Sequence, residues 1–572
     1  MQRSLLILIC AALALGAQTA GLILHNGNVV TVDPQSRIAQ AIAISGDRIL
    51  AVGDNAEVLK LAGPQTRRVD LGGKTVLPGL IDSHVHSTAA AMYEFDHPVP
   101  EMETVADVLK YIEGRTRVVP EGQWITLSQV FITRLRDQRF PTRQELDRAA
   151  PKHPVVFQTG PDASLNSLAL KLSGIDKNFK ITDGQPGRVE RDPKTGDPTG
   201  ILRSCARFIK ATPSTRRPSD EDRQTRLKAL MADYNAVGLT SIADRDADES
   251  DVAVYRALKD RGELTCRVFV SHHVDAQAPV EKIEERMAAI ARDPLHQYNN
   301  MLWMRGIKVY LDGGMLTGSA YMRQPWGVSS VYAIDDPKYQ GMRYIEPAKL
   351  YRIARAAMKN QLQPTAHSVG DGAVHALIEA YGEVNNEFKV SDHRPCISHS
   401  NFMSLEAVQK MKQLGIVADL QPPWLLLDGA TLLKQFGDAR LAYFQPYKTM
   451  FDHGVIAGGG SDHMQKIGGF RSINPYNPFL GMWIVLTRQP RWMDKPLHPE
   501  QRITREQALR LYTINNAFLT FEEKEKGSLE KGKLADLIVI DKDLLTCPLD
   551  EVKNIRVEQT YLGGKLVHHP GK

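Results

Sequence analysis

The 572-residue chain holds 42% hydrophobic and 24% charged residues, and its 71 basic and 66 acidic side chains leave a formal net charge of +5. These are ordinary values for a soluble globular chain, long enough for one large domain with additions. Both signs of charge are interspersed without a long run of either, so nothing in the balance points to a nucleic-acid partner.

Residues 1–20 stand apart. Arg3 precedes the apolar run "LLILICAALALG" and the small residues "AQTA" follow, the layout of a secretory signal peptide with cleavage after Gly16 or Ala20. The run is too short for a stable membrane anchor, and Cys10, inside it and preceded by Ile9, is not placed for lipid attachment. A soluble, exported protein is expected, periplasmic or secreted. The remaining cysteines, Cys205, Cys266, Cys396 and Cys547, include no Cys-x-x-Cys pair for zinc or redox chemistry and read as buried thiols.

Residues 21–76 are short β-rich segments ("GLILHNGNVVTVD", "AIAISGDRILAVGD") broken by Asn-Gly and Gly-Asp turns. Residues 521–572 repeat this character in "KLADLIVIDKD" and "RVEQTYLGGKLVHH", so the two ends are expected to pair into one sheet structure. Between them, over 77–520, strands and helices alternate. Strand segments are read at "LPGLIDSHVH", "LTSIAD", "CRVFVSHH", "GIKVYLDG", "LQPTAHS", "RPCISHS", "GIVADLQP" and "VIAGGGSD". Helical apolar spacing fills the intervals, as in "SDEDRQTRLKALMADYNAVG", which opens on a Ser cap. Eight strands, each followed by a helix, predict an α/β fold of the (β/α)8 TIM-barrel type. A doubly wound open sheet competes, but no G-x-G-x-x-G loop supports it. About 130 residues, 88–218, separate strand 1 from its helix, far beyond loop length, and predict an inserted subdomain. A second long connection, 313–346, follows strand 4.

Alternation in "LIDSHVH" puts His84 and His86 on one side of strand 1, where two imidazoles can hold one metal ion. Lys308, His367, His399 and Asp462 fall at the ends of strands 4, 5, 6 and 8, so all six are expected to converge at the C-terminal rim. Taken singly, Lys308 reads equally as a solvated lysine, His367 and His399 as core histidines, and Asp462 as a helix cap.

The ordered set "PGLIDSHVH", "KVYLDG", "HSVGDGAV", "ISHS" and "GGGSDH" resembles the amidohydrolase superfamily, specifically its YtcJ-like branch, which includes N-substituted formamide deformylase. The closing segments "NPYNPFLGMWIVLTR" and "KGSLEKGKLADLIVID" are similar to that branch too. The resemblance implies that both chain ends make a composite β-sandwich domain. It also implies one or two divalent metal ions, zinc first among them. His84 and His86 would hold the more buried ion and His367 and His399 the more exposed one. Lys308 would bridge them as a carbamate, because a free ammonium cannot ligate. Asp462 would bind the buried ion and act as general base. The implied reaction is hydrolysis of a non-peptide C–N bond, amide or formamide-like, in a small-molecule substrate by metal-activated hydroxide. Deamination, ester hydrolysis or a non-catalytic binding role on the same scaffold are the alternatives, and a homo-oligomer is left open.

Asp371, four residues past His367, is expected either to orient a metal ligand or to supply charge at a helix start. His463 is expected to touch substrate or to fill the rim, and Tyr321, Met322 and Trp326 to line the pocket or pack beside it. Two departures from the branch stand out: Ser204 in "GILRS", where many members carry Glu, and "PDASLNSLAL", which lacks a histidine before its Asn-Ser pair.

Overall fold

The computed structural model describes residues 19–184, 187–212 and 217–571. At its centre are eight parallel strands, called barrel strands 1 to 8 here: Leu80–Val85, Leu239–Ala247, Arg267–His273, Leu302–Tyr310, Gln363–Ser368, Cys396–His399, Val417–Leu420 and Ala457–Gly459. Each pairs with the next in chain order. The ring closes at its C-terminal rim, where the N–H of Asp462 donates to His84 O at 2.7 Å and that of His86 to His463 O at 3.0 Å. Strand 8 is only three residues long, and lower in the same seam Asn516 takes over the pairing. Its Nδ2 donates to Ile81 O at 2.6 Å and Gly459 O at 2.8 Å, and its Oδ1 accepts from the Gly459 N–H at 3.1 Å. A Cβ on Gly458 would lie 2.3 Å from that Oδ1, so only glycine admits the bridging side chain.

The strands are apolar runs because both faces are covered. Ile242, Val268, Val270, Ile307, Val309 and Ile397 are all buried, each contributing about 1.5–3 kcal/mol relative to exposure. Helices Asp220–Ala236, Glu249–Asp260, Val280–Arg292, Pro347–Lys359, Asp371–Val384 and Leu405–Leu414 alternate with strands 2 to 7. The Ser219 cap is present: its side chain accepts from the Asp222 N–H, and Asp222 reaches back to the Ser219 N–H.

Strand 1 is followed at once by a short helix, Ser87–Met92, where the sequence reading has the inserted region already under way. Beyond it comes a separate five-stranded sheet in the order Arg188–Arg191, Pro198–Arg203, Asp162–Leu165, Val155–Thr159, Ile125–Leu127. Val108, Ile112, Leu127, Leu146 and Phe157 give it a core of its own. The chain ends also meet. Leu537–Ile540 pairs antiparallel with Thr75–Pro78 in a six-stranded sheet, and a four-stranded sheet contains Ala20–His25. Leu22, Leu24 and Ile44 of the smaller sheet share a core with Val76, Leu537 and Tyr561 of the larger.

The expected signal peptide falls on residues 1–18, outside the described residues, and on Thr19 and Ala20. Cys205, Cys266 and Cys396 are free and buried as expected, whereas Cys547 is half-buried. Among the described residues no helix is long and apolar enough to cross a membrane.

Candidate metal centre

Strand 1 delivers His84 fully buried to the rim, and His86 one pleat further on. The Nδ1 of His84 faces Asp419 Oδ2 at 2.7 Å. A carboxylate can only accept, so Nδ1 carries the proton and Nε2 presents a lone pair to the interior. That Nε2 has no hydrogen-bond partner and lies 3.5 Å from Asp462 Oδ1; the Nε2 of His86 lies 3.1 Å from the same oxygen. One donor atom from each of His84, His86 and Asp462 falls within 4.8 Å of the other two.

The remaining predicted residues border this group. The His399 ring lies 5.0 Å from that of His84, and the His367 ring 4.4 Å from that of His399. His399 stacks on Trp424 at 4.8 Å, and its Nδ1 faces Gln421 Oε1 at 2.8 Å. Gln421 donates its Nε2 to Asp419 O and Oδ1, which turns its carbonyl toward the imidazole. The Nε2 of His367 points at Gly313 O, 3.4 Å away, leaving Nδ1 as its other ligand atom. Lys308 is fully buried, and its Nζ has no hydrogen-bond partner.

Burial, followed by the positive charge of Lys308, pushes His84 well below the usual histidine range and His367 down to about 3. Burial does the same to His399, helped by the neighbouring imidazoles. In His86 burial acts downward, but the Asp462 carboxylate against it outweighs that and raises the ring. Burial lowers Lys308 as well. Three imidazoles that burial keeps neutral, a carboxylate oxygen shared by His84 and His86, and a buried amine without a hydrogen bond are a poor arrangement by themselves. They suit a divalent cation, for which imidazole nitrogen and carboxylate oxygen are common ligands.

Asp371 and His463 are each expected in one of two roles, and the contacts match the structural one. Asp371 does not reach a histidine of the centre; its Oδ1 accepts from the Arg323 N–H at 2.8 Å, at the start of helix Asp371–Val384. The carboxylate beside His367 is Asp312, with Oδ1 3.8 Å from Nε2. His463 is not placed to touch substrate. It is fully buried, with Nδ1 2.8 Å from the Tyr234 hydroxyl and Nε2 against Gln465 O, so both ring nitrogens are committed to packing. Met322 and Trp326 are buried as well, and the Trp326 Nε1–H donates to Ala320 O. Tyr321 is half-buried, and its backbone carbonyl crosses Gly370 where a Cβ would lie 2.0 Å away.

Sequence reading missed Asp419, Gln421 and Asn474. The first two carried a signal: in "ADLQ" at the end of strand 7 two polar residues are separated by one, the same alternation that exposes His84 and His86. Asn474, in the loop after strand 8, carried none.

A family model described as the amidohydrolase family matches residues 67–568. The N-substituted formamide deformylase of Arthrobacter pascens is 30% identical over 564 residues, 96% of this chain and 98% of that protein. The putative amidohydrolase YtcJ of Bacillus subtilis (strain 168) is 23% identical, covering 95% of this chain and 98% of its own. Among solved structures, an uncharacterized metal-dependent hydrolase of Pyrococcus furiosus superposes with a TM-score of 0.64 at 22% identity, over 92% of this chain and all of its own. The barrel with its strand-end histidines and the match over nearly the whole length agree: the chain belongs to the amidohydrolase family, metal-dependent hydrolases acting on carbon–nitrogen bonds.

Proposed function

We propose that this protein hydrolyses an amide or formamide-type C–N bond in a small molecule, at a centre of one or two divalent ions, zinc first among them. The observation that carries the reading is the donor group of buried His84 and Asp462 and half-buried His86, flanked by His367, His399 and Lys308, whose Nζ has no hydrogen-bond partner. Ions bound there would polarise the scissile carbonyl and lower the pKa of a water.

The chain's own residues supply the rest. Asp462 accepts a proton from the attacking water and returns it to the departing nitrogen, which would otherwise leave as a poor amide anion. His84, held by Asp419, and His399, held by Gln421, enter with their ring orientations already chosen, so little reordering accompanies binding. Lys308 is read as a carbamate. Its unprotonated Nζ adds to CO2, the new N–C bond forms as one C–O π bond opens and an N–H proton passes to water, and the product offers two oxygens sharing one negative charge where Nζ has no hydrogen-bond partner.

The protein is exported and loses its leader before Ala20 in this reading. Ala20 is 3% exposed and pairs with Ala62 as the first residue of its strand, which favours cleavage after Gly16. N-terminal sequencing of natively produced protein tests this, and a start at Met1 would reject it.

The function is tested by metal analysis of the purified protein, followed by a screen of N-formyl and N-acyl amines with product identification. Release of carboxylate and free amine is expected. Release of ammonia from a ring amidine, with every amide inert, would overturn the reading.

A further inference from the structure

One side chain of the inserted region reaches toward the centre. Arg134, in the turn Ile132–Arg134, is only 6% exposed. Its Nε and Nη2 form a two-pronged pair with Asp428 Oδ1 and Oδ2 at 2.9 and 2.7 Å. Its Nη1 donates to Ile473 O and, at 2.9 Å, to Asn474 Oδ1. Asn474 is 1% exposed, and its Nδ2 lies 2.6 Å from Asp462 O and 3.3 Å from Asp462 Oδ2.

The donor inventory sets the direction of this chain. An arginine offers only N–H groups, so the carbonyl of Asn474 has to face it. The amide NH2 then points to Asp462. The Asp462 backbone sits at φ +57°, in the left-handed region that a residue with a side chain occupies when its surroundings hold it there. With Oδ2 on the Asn474 side, Oδ1 is turned to the two imidazoles of strand 1.

The inserted region is anchored on the same wall by further bonds. The Gln138 Nε2–H donates to Thr431 Oγ1 at 2.8 Å, and the Thr431 hydroxyl donates to Thr133 O at 3.0 Å. Thr431 and Asp428 belong to helix Pro422–Phe436, which also carries Trp424 against His399. The buried Arg134–Asp428 pair therefore ties the insert to the helix that backs one metal-site histidine, while Asn474 carries the contact on to Asp462.

We infer that Asn474 is a positioning residue for Asp462, its amide held the right way round by Arg134, which makes the inserted region a working part of the centre. The inference rests on the place given to Asp462 in the proposed function.

Cobalt(II) is the probe, because its visible absorption reports ligand number and geometry and needs no substrate. Asn474→Leu keeps the volume and removes the donor. Its cobalt dissociation constant is expected to rise about tenfold or more, with an altered visible spectrum and an unchanged circular dichroism spectrum. Arg134→Lys keeps the charge facing Asp428 but loses the fork, and a smaller change of the same sign is expected. Wild-type affinity and spectrum in folded Asn474→Leu would overturn the inference. Should that variant not be recovered folded, wild-type behaviour of Arg134→Lys would overturn it instead. Asp462→Asn, measured alongside, separates the two layers. If its cobalt spectrum is also unchanged, the place of Asp462 in the centre has failed; if it changes while Asn474→Leu does not, only the positioning role has failed.

Discussion

The two walls of the centre are built differently. On the wall made by strands 1, 6, 7 and 8, carboxylates and amides grip the donors: Asp419 holds His84, Gln421 holds His399, and Asn474 holds Asp462. On the wall made by strands 4 and 5, Lys308 Nζ has no hydrogen-bond partner and lies 5.0 Å from the centre of the Tyr310 ring, and the carboxylate beside His367 is spent on backbone. Asp312 accepts from the N–H groups of Tyr321, Val369 and Gly370 at 2.9–3.0 Å, fixing the loop that crosses His367 rather than the imidazole itself. One wall sets donor directions before any ion arrives. The other leaves its central amine without a hydrogen bond.

The sharpest way to break this contrast is at Asp462. Asn is nearly isosteric but cannot accept and return a proton, so Asp462→Asn is expected to lower turnover at least about a hundredfold in a folded protein. A substrate with a much better leaving group should regain part of that loss. Near-wild-type amide turnover would show that the proton carrier lies elsewhere.

Lys308 sharpens the other wall. Native protein is expected to weigh more than its leader-free sequence by one CO2, and Lys308→Met to lose that increment along with the major part of its activity. An unmodified mass in fully metal-loaded, active protein would remove the bridge.

At Asp419 the expected effect is intermediate. Asp419→Asn still hydrogen-bonds, but it no longer offers His84 a charged acceptor. Metal affinity should fall by about 10–100-fold, the range for groups that orient a ligand from behind. Asp312→Asn should fall by less, because its work is on the loop.

The smallest effect belongs to Asp371. Its carboxylate meets the Arg323 N–H at the start of a helix, so Asp371→Asn should cost about 0.3–1 kcal/mol in unfolding measurements and leave metal content unchanged. Loss of metal would restore it to the centre.

Legibility in the sequence follows the same division. Barrel strands are visible because burial on both faces makes them apolar runs, and a candidate ligand at a strand's end interrupts that run with His, Lys or Asp. The six strand-end residues, from His84 to Asp462, are seen this way, as is the long interval that becomes the inserted sheet. What lies behind the ligands is harder to see. Asp419 and Gln421 share the alternation of His84 and His86, yet polar residues beside a strand end are common. The Arg134–Asn474 contact joins positions 340 residues apart, and neither end bears a local pattern. His463 misleads for the opposite reason: adjacency to Asp462 suggests function, while the turn at Asp462 sends the two side chains to different places, one to the histidines and one into packing against Tyr234 and Tyr476.

The central claim is that the strand-end cluster is a metal centre, and bound metal measures it most directly. Mass-spectrometric metal analysis of native protein should find one or two divalent ions per chain. The double substitution His84→Ala, His86→Ala, checked for folding by circular dichroism, should lose the ion held by strand 1. Unchanged stoichiometry in the folded double variant would contradict the account.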